Sequence, residues 1–155
     1  MVAPPGDAAT LDRDVRLAVY RKIVDEGSPP TVSGVADGLG ITTSEIEASF
    51  HRLAEDHVLV LAPGTSSIWM ASPFSAIPTP FQVEVGDRRY FGNCIWDALG
   101  IPVCLRMDGR IGTSCPDCSE PLSLDVRDGS LDASSDHVIH FEVPAARWWD
   151  DIGST

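Results

Sequence analysis

The stretch "TTSEIEASFHRLAEDHVLVL", residues 42–61, changes its hydrophobic pattern part-way along. Ile46, Phe50 and Leu53 form one stripe of a helix with a period near 3.6. Thr42 or Thr43, ahead of Glu45, supplies a capping pattern at its start. The stretch then ends in "VLVL", which with "SSIWMAS" (66–72) flanks "APGT" (62–65) and reads as a hairpin. Upstream, "DRDVRLAVYRKIVDEG" (12–27) places Val15, Leu17, Ala18, Ile23 and Val24 at near-helical spacing, and Gly27 stops it. "TVSGVADGLGI" (31–41) predicts a short second helix, entered at Thr31 and closed around Gly38 and Gly40. Helix, short helix, turn, helix and hairpin make a winged-helix-like pattern over 12–71.

That pattern raises DNA binding, and charge argues against it. Residues 43–56, the element that would read DNA, carry Glu45, Glu47, Glu55 and Asp56 against Arg52 alone. The whole chain of 155 residues has a formal net charge of −12, with Lys22 as its one lysine. Such a surface repels phosphates instead of neutralising them. Nucleic acid is therefore not an expected partner. A helical packing module is the preferred reading, with a thiol-responsive winged-helix regulator as the weaker alternative.

Residues 1–11 read as a disordered lead-in, since Pro4, Pro5 and Gly6 break regular structure. They have no basic segment followed by an apolar one, as a secretory signal would. No stretch approaches the roughly 18–20 apolar residues of a membrane span. A cytoplasmic location without membrane partners is the expectation. Cys94, Cys104, Cys115 and Cys118 would then be free thiols, ligands or nucleophiles.

"SPFSAIPTPF" (72–81) holds three prolines and reads as an extended connector. Residues 82–155 read as a domain of short strands, turns and short helices. "FQVEV" (81–85) is a strand, "GDRRY" (86–90) a turn with solvated Arg88 and Arg89, and "GNCIWDALGIP" (92–102) a short helix. Asn93 is its candidate N-cap and Gly100 its stop before Pro102. "VCLRMDGRIGTS" (103–114) predicts a hairpin turning at Asp108-Gly109, with Cys104 in a core strand. "CPDC" (115–118) is a tight turn, "PLSLDVRDGSL" (121–131) a strand with a second Asp-Gly turn, and "HVIHFEVP" (137–144) a strand. "AARWWDDIGST" (145–155) begins as a helix, with Trp148 and Trp149 as core or interface aromatics. The expected fold class is α+β: a winged-helix-like helical module followed by a mixed, mainly antiparallel β-sheet domain with short helices.

Two constellations carry chemistry. Cys94 and Asp97 are three residues apart on one helix face. A helix N-terminus favours a thiolate, and an apolar setting beside Ile95 and Trp96 would raise an aspartate's pKa. The pair reads either as a nucleophilic thiol beside a proton donor, or as a structural cysteine beside a surface aspartate. Cys115 and Cys118 read as a turn that happens to carry two thiols, as a soft-metal or zinc pair, or as a redox pair. A zinc site needs further ligands, and Cys94, Cys104, His137 and His140 lack diagnostic spacing. His137 and His140 would face opposite sides of a strand. Arg88 and Arg89 suit an anion less well than a solvated turn. The common nucleotide, zinc-protease and hydrolase signatures are missing from the sequence.

"SPFSAIPTPFQVEVGDRRYFGNCIWDALGIP" (72–102), followed by "GRIGTSCPDCSEPLSLDV" (109–126), resembles the alkylmercury lyases of bacterial mercury resistance. The likeness runs from about residue 12 to the end and is densest over 72–126. Its most specific element is Cys-x-x-Asp followed by "ALGIP". The resemblance implies protonolysis of a carbon–mercury bond. Cys94 matches the family's first catalytic cysteine and Asp97 its aspartate, which is the proton donor and a transient mercury ligand. It also implies an organomercurial or other soft-metal substrate, Hg(II) as bound product, a thiol acceptor for product release, and no organic cofactor. The family's N-terminal module packs and does not read DNA. The second catalytic cysteine would align at Thr155 or just beyond it, or on another alignment at Asp136. Cys115 or Cys118 is a candidate substitute. The alternative to this reading is a non-catalytic protein binding zinc or another soft metal through Cys94, Cys115 and Cys118.

Overall fold

Helix α1 (Ala8–Glu26) turns Val15, Val19 and Ile23 into the core, each four residues after the last. In the computed structural model, which describes residues 7–132 and 136–153, the helix starts inside the expected lead-in. Asp7 accepts the amides of Thr10 and Leu11 through its carbonyl, so the first turn forms without an apolar stripe. The rest of the lead-in, residues 1–6, lies outside the described residues. Gly27 closes the helix at φ 75°, the left-handed conformation that glycine adopts without a Cβ penalty.

Helices α2 (Val32–Leu39) and α3 (Thr43–Glu55) follow. Thr42 and Glu45 close a reciprocal capping box at the start of α3. α3 buries Ile46, Ser49, Phe50 and Leu53. Strands β1 (Val60–Leu61) and β2 (Ile68–Ala71) form the antiparallel hairpin. A third strand, β3 (Phe74–Ser75), extends this sheet in the order β1-β2-β3. The stretch expected to be an extended connector therefore also supplies a strand. Phe74 is buried and pairs opposite Ala71, because an apolar residue beside an open strand edge gains both burial and backbone pairing.

The second sheet has five antiparallel strands: β4 (Gln82–Val85), β5 (Arg88–Phe91), β6 (Gly109–Ser114), β7 (Pro121–Arg127) and β8 (Ser130–Asp132). Their order is β5-β4-β6-β7-β8. The turn expected over 86–90 is confined to Gly86 and Asp87, and Arg88 and Arg89 lie on β5 opposite Val85 and Glu84. Helix α4 (Ile95–Leu105) covers this sheet with Ala98, Ile101 and Pro102. Val83, Val85, Tyr90, Ile111 and Val126 share one apolar core with the helices. Tyr90 donates its hydroxyl to the Val24 carbonyl at 2.7 Å, tying β5 to α1. This is the α+β architecture expected.

Four expectations fail around and beyond α4. The helix does not stop at Gly100 but runs through Pro102 to Leu105, ending on Arg106 at φ 54°. A Cβ on Gly109 would lie 2.5 Å from Pro102 Cγ and 3.0 Å from Val85 Cγ2. Gly109 thus opens β6 and lets α4 sit directly on the sheet, where the sequence suggested a hairpin turn. Burial of Pro102 offsets its missing hydrogen bond. Cys104 consequently lies on the exposed side of a helix, not in a core strand. "HVIHFEVP" forms no strand; residues 136–142 are exposed and lack a pairing edge among the described residues, with Val138 88% exposed. Ala145–Asp150 is a 3-10 helix.

Candidate active site

Strand β5 delivers the chain to the start of α4 through Gly92. This glycine donates its amide to the Phe81 carbonyl at 3.0 Å, and its carbonyl accepts the Thr79 hydroxyl at 2.6 Å. It also bridges Phe74 of the first sheet. A Cβ here would stand 2.6 Å from the Ala98 nitrogen and 2.8 Å from its Cα. Only glycine lets the strand end lie against the first turn of the helix. Asn93 and Cys94 are placed by that close approach.

Cys94 is the N-cap of α4, with extended backbone at φ −143°. Asp97 is then the third helical residue. Cys-x-x-Asp thus occupies the register of a capping box, in which the cap and the third residue face each other across the first turn. The expected cap, Asn93, sits one position earlier and has another task. Its Nδ2 donates to Asp97 Oδ2 at 2.8 Å. Its Oδ1 is buried and has no hydrogen-bond partner among the described residues.

The electrostatics run upward for both groups. Burial pushes the Asp97 carboxyl above the ordinary aspartate range, and the hydrogen bonds from Asn93 offset only part of this. Burial also raises the Cys94 thiol; the Asp97 amide opposes it, the Asp97 charge adds to it, and the Trp96 amide opposes it. The dipole-stabilised thiolate anticipated at this helix end is therefore outweighed by desolvation. Both groups of the pair are thus shifted toward their protonated forms by burial. Tyr20 of α1, whose hydroxyl donates to the Ser72 carbonyl at 2.9 Å, feels the same Asp97 charge.

The apolar surround differs from the one expected. Trp96 points outward and is 60% exposed. Its ring meets Phe141 edge-on at 6.4 Å between centroids, and Phe141 meets Trp148 at 5.3 Å. The Trp148 indole donates to the Val143 carbonyl at 2.8 Å. The C-terminal segment thus returns to the start of α4 through aromatic contacts. Trp149 stacks on His57 instead, with centroids 4.0 Å apart. It helps line a cleft of about 810 Å³, which neither Cys94 nor Asp97 borders.

The other sequence candidates form no metal-holding cluster with this pair among the described residues. Cys115 and Cys118 lie in the β6–β7 turn, Cys104 is exposed on α4, and His137 and His140 are exposed. Among the described residues no group of three or more His, Cys, Asp and Glu side chains is placed to hold a metal ion. A preformed zinc site from Cys94, Cys115 and Cys118 is thus not assembled there. Asp136 is exposed, and Thr155 lies outside the described residues. Sequence reasoning missed Gly92 and Thr79 as positioning residues; the glycine directly before "NCIWD" was the available signal.

The family model of MerB, alkylmercury lyase, matches residues 74–155, the part of the chain that contains β4, β5 and α4. This chain belongs to the alkylmercury lyase family. The crystal structure of the mercury-bound form of MerB2 is similar over 78% of this chain, with a TM-score of 0.61 and 25% identity. The match covers 59% of the MerB2 chain, so this protein spans about three fifths of that relative's length. Among curated proteins, none matches. Helices α1–α3 lie outside the matched family segment. No helix among the described residues is long and apolar enough to cross a membrane.

Proposed function

We propose that this alkylmercury lyase family member cleaves a carbon–mercury bond by protonolysis, with Cys94 as the mercury-binding thiol and Asp97 as the proton donor. The observation that carries this reading is the placement of a thiol at the N-cap of α4 and a carboxyl one helical turn on, with burial raising that carboxyl. Mercury is the substrate's own metal, and a soft thiolate is its preferred donor.

The steps balance without an external oxidant or cofactor. The Cys94 thiol displaces a ligand from the organomercurial, and its proton leaves with that ligand. A sulfur–mercury bond now holds the organic group beside Asp97. Thiolate donation raises electron density at the mercury-bound carbon. The Asp97 carboxyl gives its proton to that carbon as the carbon–mercury bond breaks, and the hydrocarbon departs. Hg(II) stays on the Cys94 sulfur, with the new Asp97 carboxylate as a transient second ligand. A thiol acceptor then removes it. Asn93 serves both protonation states: its amide N–H holds the carboxylate, and its unpaired Oδ1 would accept from the acid after rotation of the amide.

The test is a single turnover of the full chain with phenylmercury, measuring benzene. Wild type should release one benzene per chain. Cys94→Ala should release none and retain no phenylmercury at this site. Benzene formation at an unchanged rate in Cys94→Ala would overturn the reading.

A further inference from the structure

The turn between β6 and β7 holds the two thiols that the proposed reaction leaves unused. Ser114 and Pro121 form the last rung of the ladder, and residues 115–120 make the connection. The Cys115 amide donates to the Glu120 carbonyl at 2.9 Å, and the Ser119 amide donates to the Cys115 carbonyl at 2.8 Å. Ser119 takes the left-handed conformation at φ 61°, which closes the turn. The amides of Cys118 and Asp117 and the Cys118 side chain all hydrogen-bond the Cys115 sulfur, and together they hold its thiol below the ordinary range. Cys118 is exposed, Cys115 is half-buried, and neither is in a disulfide. Here a single tight turn carries two free thiols three residues apart, with the Cys115 amide and carbonyl both held by the turn's own backbone hydrogen bonds.

Two sulfurs alone are too few for zinc, which takes four ligands. They are enough for a soft ion that is satisfied by two thiolates, as Hg(II) is. Register places this turn near the proposed reaction centre. Gln82 on β4 pairs with Phe91 on one side and Gly112 on the other. Cys94 and Cys115 each follow three residues after that rung. Both therefore leave the same end of the sheet, from strands separated only by β4, or about 10 Å at ordinary strand spacing.

We propose that Cys115 and Cys118 form a two-thiolate receiving site that takes Hg(II) from Cys94 after the carbon–mercury bond is broken. The receiving role rests on the reaction proposed above; the capacity to bind Hg(II) does not. In the transfer, the Cys115 sulfur attacks mercury and displaces its second ligand. The Cys118 sulfur then attacks, and the Cys94–mercury bond breaks. Cys115 and Cys118 together lose two protons; the Cys94 sulfur regains one and the departing ligand takes the other. No oxidation state changes.

The test uses the full chain carrying Cys104→Ser, which removes the exposed lone thiol on α4. Reduced protein is mixed with one equivalent of inorganic Hg(II) in excess 2-mercaptoethanol, and retained mercury is counted by native mass spectrometry. One Hg(II) should be retained, and should still be retained with Cys94→Ala. Cys118→Ser, at an exposed turn position, should lower retention at least tenfold with an unchanged circular dichroism spectrum. Retention that survives Cys118→Ser, or that disappears in Cys94→Ala, would overturn the site. A wild-type chain that releases no benzene from phenylmercury would overturn the receiving role through the reaction itself, whatever the binding result. Benzene release with failed retention would sink this inference alone.

Discussion

Two half-buried aspartates are shifted in opposite directions. Asp12 of α1 accepts from Ser49 at 2.6 Å and from Arg52 through two bonds, at 2.6 and 2.8 Å. The Arg52 hydrogen bond outweighs desolvation and draws the Asp12 carboxyl below its ordinary range. Asp97 receives an amide donor from Asn93 and, among the described residues, no cation, so burial wins and its carboxyl moves up. Both accept side-chain hydrogen bonds, and a charged donor is present only at Asp12. A carboxylate satisfied by a guanidinium fork locks α1 to α3. A carboxyl denied such a partner keeps a proton available.

Substitutions at the two sites should separate these roles. The largest effect is expected for Asp97→Asn, which should slow benzene release from phenylmercury-loaded chain by about 10²–10⁴-fold, the usual weight of a positioned acid. Asp12→Asn should leave that rate unchanged in stopped single-turnover assays. Next comes Gly92→Ala, which forces a Cβ to within 2.6 Å of the Ala98 nitrogen. Urea unfolding should show a loss of about 3 kcal/mol, the upper end for overpacking, and a slower turnover because the Cys94 cap is displaced. Asp12→Ala should cost about 2 kcal/mol by the same method, as expected for hydrogen bonds to a charged partner.

The smallest effect concerns pH. Asp12 has a lowered folded pKa, so its stabilising contribution is present above its unfolded pKa and is lost as pH falls through the folded value. Asp97 has a raised folded pKa, so the native state is favoured below its unfolded pKa and loses that advantage as pH rises through the folded value. Thermal melts of Asp97→Asn should therefore show a small gain over wild type at neutral pH that vanishes in acid. Asp12→Asn should show a loss at neutral pH that shrinks in acid. An Asp97→Asn variant less stable than wild type at neutral pH would make Asp97 a structural carboxylate like Asp12.

The helical half was legible because its elements carry local signals. Ile46, Phe50 and Leu53 keep helical period, and Thr42 and Glu45 cap them. In the second half the local signals point the wrong way. Gly100, Pro102 and Gly109 look like helix stop and turn, but tertiary contact among Pro102, Gly109 and Val85 continues the helix. The alternating pattern in "HVIHFEV" finds no partner strand and stays exposed. At the site, the cysteine and aspartate were readable from spacing and from resemblance to the family. The cap shift from Asn93 to Cys94 was not, because it depends on how closely Gly92 approaches Ala98. Nor was the direction of the Cys94 shift, since the balance of burial against helix amides is set by the fold.

The most direct test is a carbon-13 NMR titration of the side-chain carboxyls in the mercury-free chain, following Asp97 and Asp12 together. The Asp97 midpoint should lie above the ordinary aspartate range and the Asp12 midpoint below it. An Asp97 midpoint at or below the ordinary value would contradict its role as the proton donor.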